Sequence, residues 1–208
     1  MGKTGISRRK ALSSALAFGG ATWLLGAQVH GETHRVLPAD RIRPPGALRE
    51  VEFLDACMRC GLCVQACPYD TLRLADLNRS VPAGTPYFVA RQMACGMCET
   101  IPCAAACPSG ALRRSLTDID AAAMGLAELS TPERCLSYSG AAYCDSCYQA
   151  CPITGRAIRM RHGRTSRGGN FRPVVDADHC TGCGRCEAAC VLQGDAAITV
   201  CANHATQR

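Results

Sequence analysis

The sequence is poor in aromatic side chains and contains none of the common catalytic motifs. Its 208 residues include one Trp, five Tyr and four Phe, or 5% of the chain, which is too few for a large aromatic core. It has no Gly-rich dinucleotide fingerprint opening a strand–helix unit, and no nucleophile elbow or zinc-protease helix. These absences argue against an enzyme with its own substrate-transforming site.

The charge balance gives no support for nucleic-acid binding. The formal net charge is +6, but Lys3, Arg8, Arg9 and Lys10 lie in a leader described below, and without them 19 basic side chains face 17 acidic ones. We therefore predict no nucleic-acid partner.

Cysteine is abundant, with 17 residues, and the cysteines are grouped. Residues 57–68, CMRCGLCVQACP, have the spacing C-x2-C-x2-C-x3-C-P that is typical of bacterial iron–sulfur ligation. Three of the thiolates surround one cubic cluster, and the fourth ligates the neighbouring cluster in two-cluster ferredoxins. Gly61 suits this loop because glycine accepts positive φ without steric cost. The alternatives are less suited to the spacing, since structural zinc prefers two separated C-x2-C pairs and disulfides do not require such close grouping.

The motif occurs four times, with 27, 27 and 28 residues between successive copies. The second copy has two extra residues between its second and third cysteines, the third has eight residues between its first pair, and the fourth has Val191 in place of Pro. Four motifs predict four 4Fe-4S clusters, whose bound charge would make the mature protein acidic. The sixteen predicted iron ligands are Cys57, Cys60, Cys63, Cys67, Cys95, Cys98, Cys103, Cys107, Cys135, Cys144, Cys147, Cys151, Cys180, Cys183, Cys186 and Cys190.

Other residues near the motifs have two readings each. Arg59 and Arg185 lie inside ligand loops, where they either raise a cluster's potential or are simply exposed. Cys201 has no motif partners, and we interpret it as an incidental small residue rather than a ligand or redox thiol. His162 and His179 are interpreted as surface histidines rather than residues that tune a cluster or carry a proton. The tyrosines that flank ligands are interpreted as packing over the clusters rather than reacting: Tyr69, Tyr143 and Tyr148.

The chain between the motifs predicts an α+β fold with little regular secondary structure. Short apolar alternations at 71–74, 111–113, 157–160 and 197–200 predict short strands, and Ala with Glu or Gln between the third and fourth cysteines of motifs one and four predicts single helical turns. The composition of residues 119–129 favours helix. The Gly- and Arg-rich residues 161–172 predict a mobile loop, which either is solvated or docks an acidic partner. We expect tandem ferredoxin-like modules, each with two 4Fe-4S clusters.

The predicted organisation begins with a leader at residues 1–31, followed by an extended arm at 32–52, a four-motif domain at 53–200 and a tail at 201–208. In the leader, Arg8 and Arg9 precede an uncharged stretch at 11–29. The leader resembles a twin-arginine export signal, although Ala11 stands where that signal usually has Phe. Such a signal implies export of a folded, cluster-loaded protein to the periplasm. An uncleaved membrane anchor is the alternative.

Five segments resemble the MauM/NapG family of exported polyferredoxins. They are RIRPPGAL (41–48), CMRCGLCVQACPYDTL (57–72), GTPYFVAR (84–91), CGMCETIPCAAACPSGAL (95–112) and CTGCGRCEAAC (180–190). The resemblance implies four 4Fe-4S clusters and periplasmic electron transfer beside a membrane-bound ferredoxin-type partner. NapG-type members work around periplasmic nitrate reductase, and MauM-type members are encoded with methylamine dehydrogenase. The 18 residues after Cys190 are fewer than expected of NapG-type proteins, which favours the methylamine branch.

The uneven second and third motifs also resemble the four-cluster subunits of molybdenum oxidoreductases. That resemblance implies nested pairing, in which motif one shares ligands with motif four and motif two with motif three, although spacing alone leaves adjacent pairing open. The implied ligand sets are Cys57/Cys60/Cys63/Cys190, Cys180/Cys183/Cys186/Cys67, Cys95/Cys98/Cys103/Cys151 and Cys135/Cys144/Cys147/Cys107.

The preferred hypothesis for function is an electron relay with no catalytic residues of its own. Its expected partners are a membrane-bound ferredoxin-type protein, a periplasmic cytochrome or dehydrogenase/reductase, and the twin-arginine export machinery. The alternative is a non-catalytic maturation or assembly factor for a periplasmic redox enzyme.

Overall fold

The computed structural model describes residues 37–77, 81–166 and 168–202. The predicted leader at residues 1–31 and most of the predicted tail lie outside these ranges, so both stay predictions. Within the described ranges, no helix is long and apolar enough to cross a membrane.

The regular elements of these residues are short. The helices are α1 (Glu50–Ala56), α2 (Leu62–Gln65), α3 (Pro102–Ala105), α4 (Leu136–Ser139), α5 (Ser146–Gln149) and α6 (Arg185–Ala188), with a 3-10 turn at Ile119–Ala121. The strands are β1 (Arg73–Leu74), β2 (Pro86–Tyr87), β3 (Gly125–Glu128), β4 (Ile158–Thr165), β5 (Gly168–Val175) and β6 (Thr199–Ala202). Three antiparallel pairs form, β1 with β2, β3 with β6 and β4 with β5.

The structure contains two modules that share one apolar core. Module 1 (residues 37–122) carries motifs one and two, and module 2 (residues 123–202) carries motifs three and four. In module 1 the single turns α2 and α3 pack together, and in module 2 α5 packs on α6. The helical turns predicted before Cys67 and Cys190 are thereby confirmed as α2 and α6.

The residue immediately before α2 and before α6 is a glycine in the left-handed conformation. Gly61 has φ of 75° immediately before α2, and Gly184 has φ of 84° before α6, as expected for a left-handed residue that ends a ligand loop. In motif two Ile101 takes the same place at φ of 43°. A β-branched residue is strained there, and the following Pro102, whose fixed φ suits the first helical position, begins α3.

The arm that precedes motif one is anchored rather than free. Ile42 pairs with Phe88 in an isolated bridge, and α1 begins at Glu50, within the predicted arm at 32–52. Arg43, only 6% exposed, forms a bidentate ion pair with Glu50 at 2.9 and 2.6 Å. It also donates to the hydroxyl of Thr85 and the carbonyl of Pro86. Arg43 thus joins the arm, α1 and β2.

Three predictions of secondary structure were wrong. The predicted mobile loop at 161–172 lies within the hairpin β4–β5, in which Asn170 and Pro173 are buried; the Gly and Arg content concealed its alternation. Residues 119–129 form a 3-10 turn and the strand β3, because pairing with β6 outweighs helix propensity. Residues 111–113 form only an isolated bridge, between Leu112 and Ala47.

Candidate metal centres

Four cavities of the described residues are each lined by four cysteines. Their free space is similar, about 320–390 Å³ with open solvent included. We name them sites A to D. Site A is lined by Cys57, Cys60, Cys63 and Cys107; site B by Cys67, Cys95, Cys98 and Cys103; site C by Cys151, Cys180, Cys183 and Cys186; and site D by Cys135, Cys144, Cys147 and Cys190.

This grouping corrects the nested pairing implied by the molybdenum oxidoreductases. All sixteen motif cysteines line one of the sites, and three cysteines of each motif stay together. However, the fourth cysteine of a motif joins its neighbour in sequence, so motif one exchanges with motif two and motif three with motif four.

The packing of the helical turns explains the exchange. In module 1, Cys63 lies in α2 and Cys67 follows it, so the two ends of one turn serve sites A and B. The turn α3 does the reverse, with Cys103 at site B and Cys107 at site A. Since α2 packs on α3, a fourth cysteine reaches the site of the adjacent motif.

The donor chemistry of each site fits an iron–sulfur cluster. Each cavity presents four thiols and a mostly apolar wall, including Phe53 at site A and Phe88 at site B. Thiolate quartets of this kind hold 4Fe-4S clusters. Among the described residues, no group of three His, Cys, Asp or Glu side chains is arranged to bind a single metal ion.

Burial disfavours the thiolate form of several of these cysteines. Burial, with neighbouring cysteines adding to it, raises the pKa of the Cys63 thiol to about 11 and those of Cys103 and Cys147 to about 12. A thiolate is the form that binds metal, so cluster binding must displace protons from these positions.

Cys107 of site A differs from Cys63. Burial opposes ionisation of its thiol, but hydrogen bonds that include those from the Leu112 N–H and the Ser109 hydroxyl, 3.5 and 3.6 Å from its Sγ, bring the pKa of this thiol below its usual value. Hydrogen bonds to a ligand sulfur also tune a cluster's potential.

Sites B and C meet at the junction of the two modules. The Cys95 N–H of site B donates to the Cys183 carbonyl of site C at 2.9 Å. Arg91 donates to the carbonyls of Glu187 and Cys190 at 2.8 and 2.9 Å, and further to those of Gly194 and Leu192. The Arg91 side chain of module 1 therefore caps the end of α6 in module 2. Because α2 and α3 join A to B, and α5 and α6 join C to D, the four sites form the series A, B, C, D.

Sequence reasoning missed two residues that assemble the sites, Arg43 and Arg91. A signal was present, since they lie in the segments RIRPPGAL and GTPYFVAR that were used only for the family resemblance. Arg59 and Arg185 are both exposed, as in the plainer interpretation. Even so, the charge of Arg185 acts to lower the pKa of Cys151, although burial is the larger influence and raises it.

The remaining candidates take varied positions. Tyr69 lines site B, whereas Tyr143 is 70% exposed. His162 is exposed, and the ring of His179 lies 3.2 Å from Asp176. Cys201 is exposed in β6 and lines none of the four sites.

Comparison with known families identifies the class of the two modules. The model of the 4Fe-4S dicluster domain matches residues 56–111 and again 130–193. Each match contains two of the cysteine sites, in agreement with adjacent pairing. The chain is therefore a ferredoxin-type protein with tandem 4Fe-4S dicluster domains.

Curated relatives then define the family. The chain is 56% identical over 156 residues to the ferredoxin-type protein NapG of Escherichia coli, covering 74% of this chain and 67% of the relative. It is 48% identical over 196 residues to the methylamine utilization ferredoxin-type protein MauM of Methylorubrum extorquens, covering 93% and 88%. It is also 47% identical over 199 residues to NapG of Haemophilus influenzae, covering 93% and 71%. No solved structure matches. The chain belongs to the NapG/MauM family of ferredoxin-type proteins, which are electron carriers and not substrate-transforming enzymes.

Proposed function

We propose that the protein holds four 4Fe-4S clusters, one at each of sites A to D, and passes electrons along the series A, B, C, D. One end of the series exchanges electrons with a membrane-bound ferredoxin-type or quinol-linked partner, and the other with a periplasmic redox system. The junction carries this proposal, because the direct hydrogen bond from Cys95 to Cys183 gives a short connection between the ligands of the two modules.

The cofactors supply the one-electron chemistry, and the chain supplies their environment. Each fourth cysteine closely follows a helical turn that carries a cysteine of the paired site, so the turn holds the two sites side by side. Backbone and hydroxyl donors near Cys107 and the charge of Arg185 near site C would tune the cluster potentials.

The proposed compartment is the periplasm. It is supported by the twin-arginine pattern at Arg8 and Arg9 ahead of an uncharged stretch, which is typical of an export signal. Assembly in the cytosol before export would protect the thiols from disulfide formation. Methylamine utilisation is the preferred pathway over periplasmic nitrate reduction. In its support, the match to MauM of Methylorubrum extorquens extends over most of both chains.

Anaerobic purification followed by a redox titration tests the proposal. We expect about sixteen irons per chain, four for each cubane, and electron paramagnetic resonance signals that show magnetic interaction between reduced clusters. Zinc, or far fewer irons, would contradict the four-cluster assignment. Clusters that are present but exchange no electrons with any cytochrome or quinol-oxidising partner would instead favour the assembly-factor hypothesis.

A further inference from the structure

We propose that the hairpin β4–β5 is a docking surface for an acidic redox protein that exchanges electrons with site D. The inference rests on the proposed relay, of which site D is one end. It assigns the chemistry of one partner from the charge, anchoring and position of the hairpin.

The hairpin and the turn before it are strongly basic. Residues 156–172 contain six Arg and no Asp or Glu. Arg161 and Arg164 are exposed and have no ion-pair partner among the residues that the structure describes. The register also places Arg161 opposite Arg172. Like charges directly opposite each other destabilise a strand pair, and an acidic partner would relieve that repulsion.

The hairpin is held firmly in place by the long insertion of motif three. The buried Asn170 donates from its amide to the carbonyls of Ser137 and Tyr138 at 3.1 and 2.7 Å. In return the Ser137 hydroxyl donates to the Phe171 carbonyl, and the Arg172 guanidinium lies 4.7 Å from the centre of the Tyr138 ring. These contacts come from α4, which lies between Cys135 and Cys144. The insertion therefore positions a rigid charged surface against a ligand loop.

The position of the hairpin connects that surface to site D. Pro173 of β5 lines the site D cavity itself. On the exposed side, the ring of Phe171 packs edge-on against His162 and Tyr143, with centroids 5.7 and 6.1 Å apart. Tyr143 directly precedes Cys144 and is 70% exposed. Exposed aromatic and arginine side chains together are typical of the residues that dominate protein interfaces.

An acidic protein fits these observations better than an anionic membrane. Four bound clusters would make the rest of the protein acidic, so the hairpin would be a local region of opposite sign. Such a region orients a diffusing acidic partner. A membrane surface would require the same charge and would also accept exposed aromatic rings, but it cannot exchange electrons with site D, which the proposed relay requires of a partner at this end.

The test uses the cluster-loaded protein and an acidic probe, the soluble haem domain of cytochrome b5. Arg161→Glu/Arg164→Glu is compared with Arg73→Glu/Arg113→Glu, which reverses two exposed arginines of module 1 and changes the net charge equally. Calorimetry measures binding of the oxidised probe, and stopped-flow spectroscopy measures electron transfer to it from the reduced protein. Unchanged iron content and circular dichroism establish that each variant is folded.

At low ionic strength we expect the hairpin variant to lose about tenfold in affinity and rate, and the module 1 variant to stay within about twofold. The difference should shrink at high salt because of screening. Equal losses in both variants, or no binding by the unaltered protein, would overturn the proposal. So would an effect confined to phosphatidylglycerol vesicles, since that outcome assigns the surface to a membrane. If the iron count fails while the hairpin-specific binding persists, only the relay is contradicted.

Discussion

Module 1 and module 2 each place two cysteine quartets around a pair of packed helical turns, but they differ at their outer ends. At the site A end Cys60 is exposed, beside the apolar side chains of Met58 and Leu62, which are 61% and 42% exposed. The strands there, β1 and β2, have only two residues each. At the site D end a hairpin of eight-residue strands carries a row of arginines.

The comparison distinguishes the helical turns, which cluster binding requires in both modules, from the outer ends, which are available for recognition of partners. Both modules need the same short turns, because each turn must carry ligands for two sites. The outer ends carry no such constraint, so insertions there are free to acquire a different surface. The exposed Met58 and Leu62 at one end and the arginines of the hairpin β4–β5 at the other suit two chemically different partners, as the proposed relay requires.

Removing the clusters should abolish both modules, which is the largest effect we expect. Helices of four residues and strands of two are not stable alone, and the energy of cluster binding is therefore folding energy. The far-UV circular dichroism of chelated, iron-free protein should lose most of its structured signal. A native-like spectrum would show that the shared apolar core suffices.

Cysteine variants should show that each site takes all of its cysteines from motifs of one module. Under adjacent pairing, Cys67→Ala/Cys95→Ala affects site B alone and should cost about four irons. Cys67→Ala/Cys180→Ala affects sites B and C and should cost about eight. Nested pairing predicts the reverse, so iron analysis of the two variants separates the arrangements.

The ion pairs of the two modules should differ in strength. Arg43 and its partner Glu50 are only 7% and 18% exposed, whereas Arg159 and Asp176 in module 2 are 50% and 30% exposed. Arg43→Ala should cost about 3–5 kcal/mol, because the mostly buried Glu50 carboxylate, the Thr85 hydroxyl and the Pro86 carbonyl all lose this donor. The matched Arg159→Ala should cost at most about 1 kcal/mol. Anaerobic urea unfolding measures both, and equal losses would contradict the distinction.

Weakening the contact between the modules should loosen their junction without loss of iron from either module. Arg91→Ala removes the donors to four carbonyls at the end of α6 and should lower stability by about 1.5–3 kcal/mol. The iron content should remain, while magnetic interaction between clusters B and C decreases. Arg73→Ala, at an exposed arginine of module 1 that lines none of the four sites, is the control. An unchanged interaction in Arg91→Ala would mean that this side chain does not maintain the junction.

The smallest effect concerns Glu187 in α6, whose counterpart in motif one is Val64. Burial raises the pKa of the Glu187 carboxyl, although it accepts the Val200 N–H at 2.6 Å. A raised pKa means that the neutral form favours folding, and this contribution is lost as pH rises through the folded-state value. Glu187→Gln should therefore be more stable than the unaltered protein at pH 8, by less than about 1 kcal/mol. The gain should shrink toward pH 5, and a gain that grows instead would contradict the assignment.

The cysteine motifs and the turns between their last cysteines were predictable because their determinants are local. Gly61, for example, precedes α2 with the positive φ expected from the motif. The strand β3 and the hairpin β4–β5 were not predictable in this way. Residues 125–128 become a strand through pairing with residues 199–202, and the hairpin is held by contacts of Asn170 with α4. The composition of a segment does not indicate which distant strand or helix will pack against it.

By itself the sequence determined which cysteines act together in threes, since only two to eight residues separate neighbouring cysteines within each three and keep them in one loop. Only the tertiary structure decided where each fourth cysteine goes. That residue lies at the far end of a helical turn, and its site depends on which other turn packs alongside. Because α2 packs on α3 and α5 on α6, neighbouring motifs contribute cysteines to the same sites, and the sites follow one another in series.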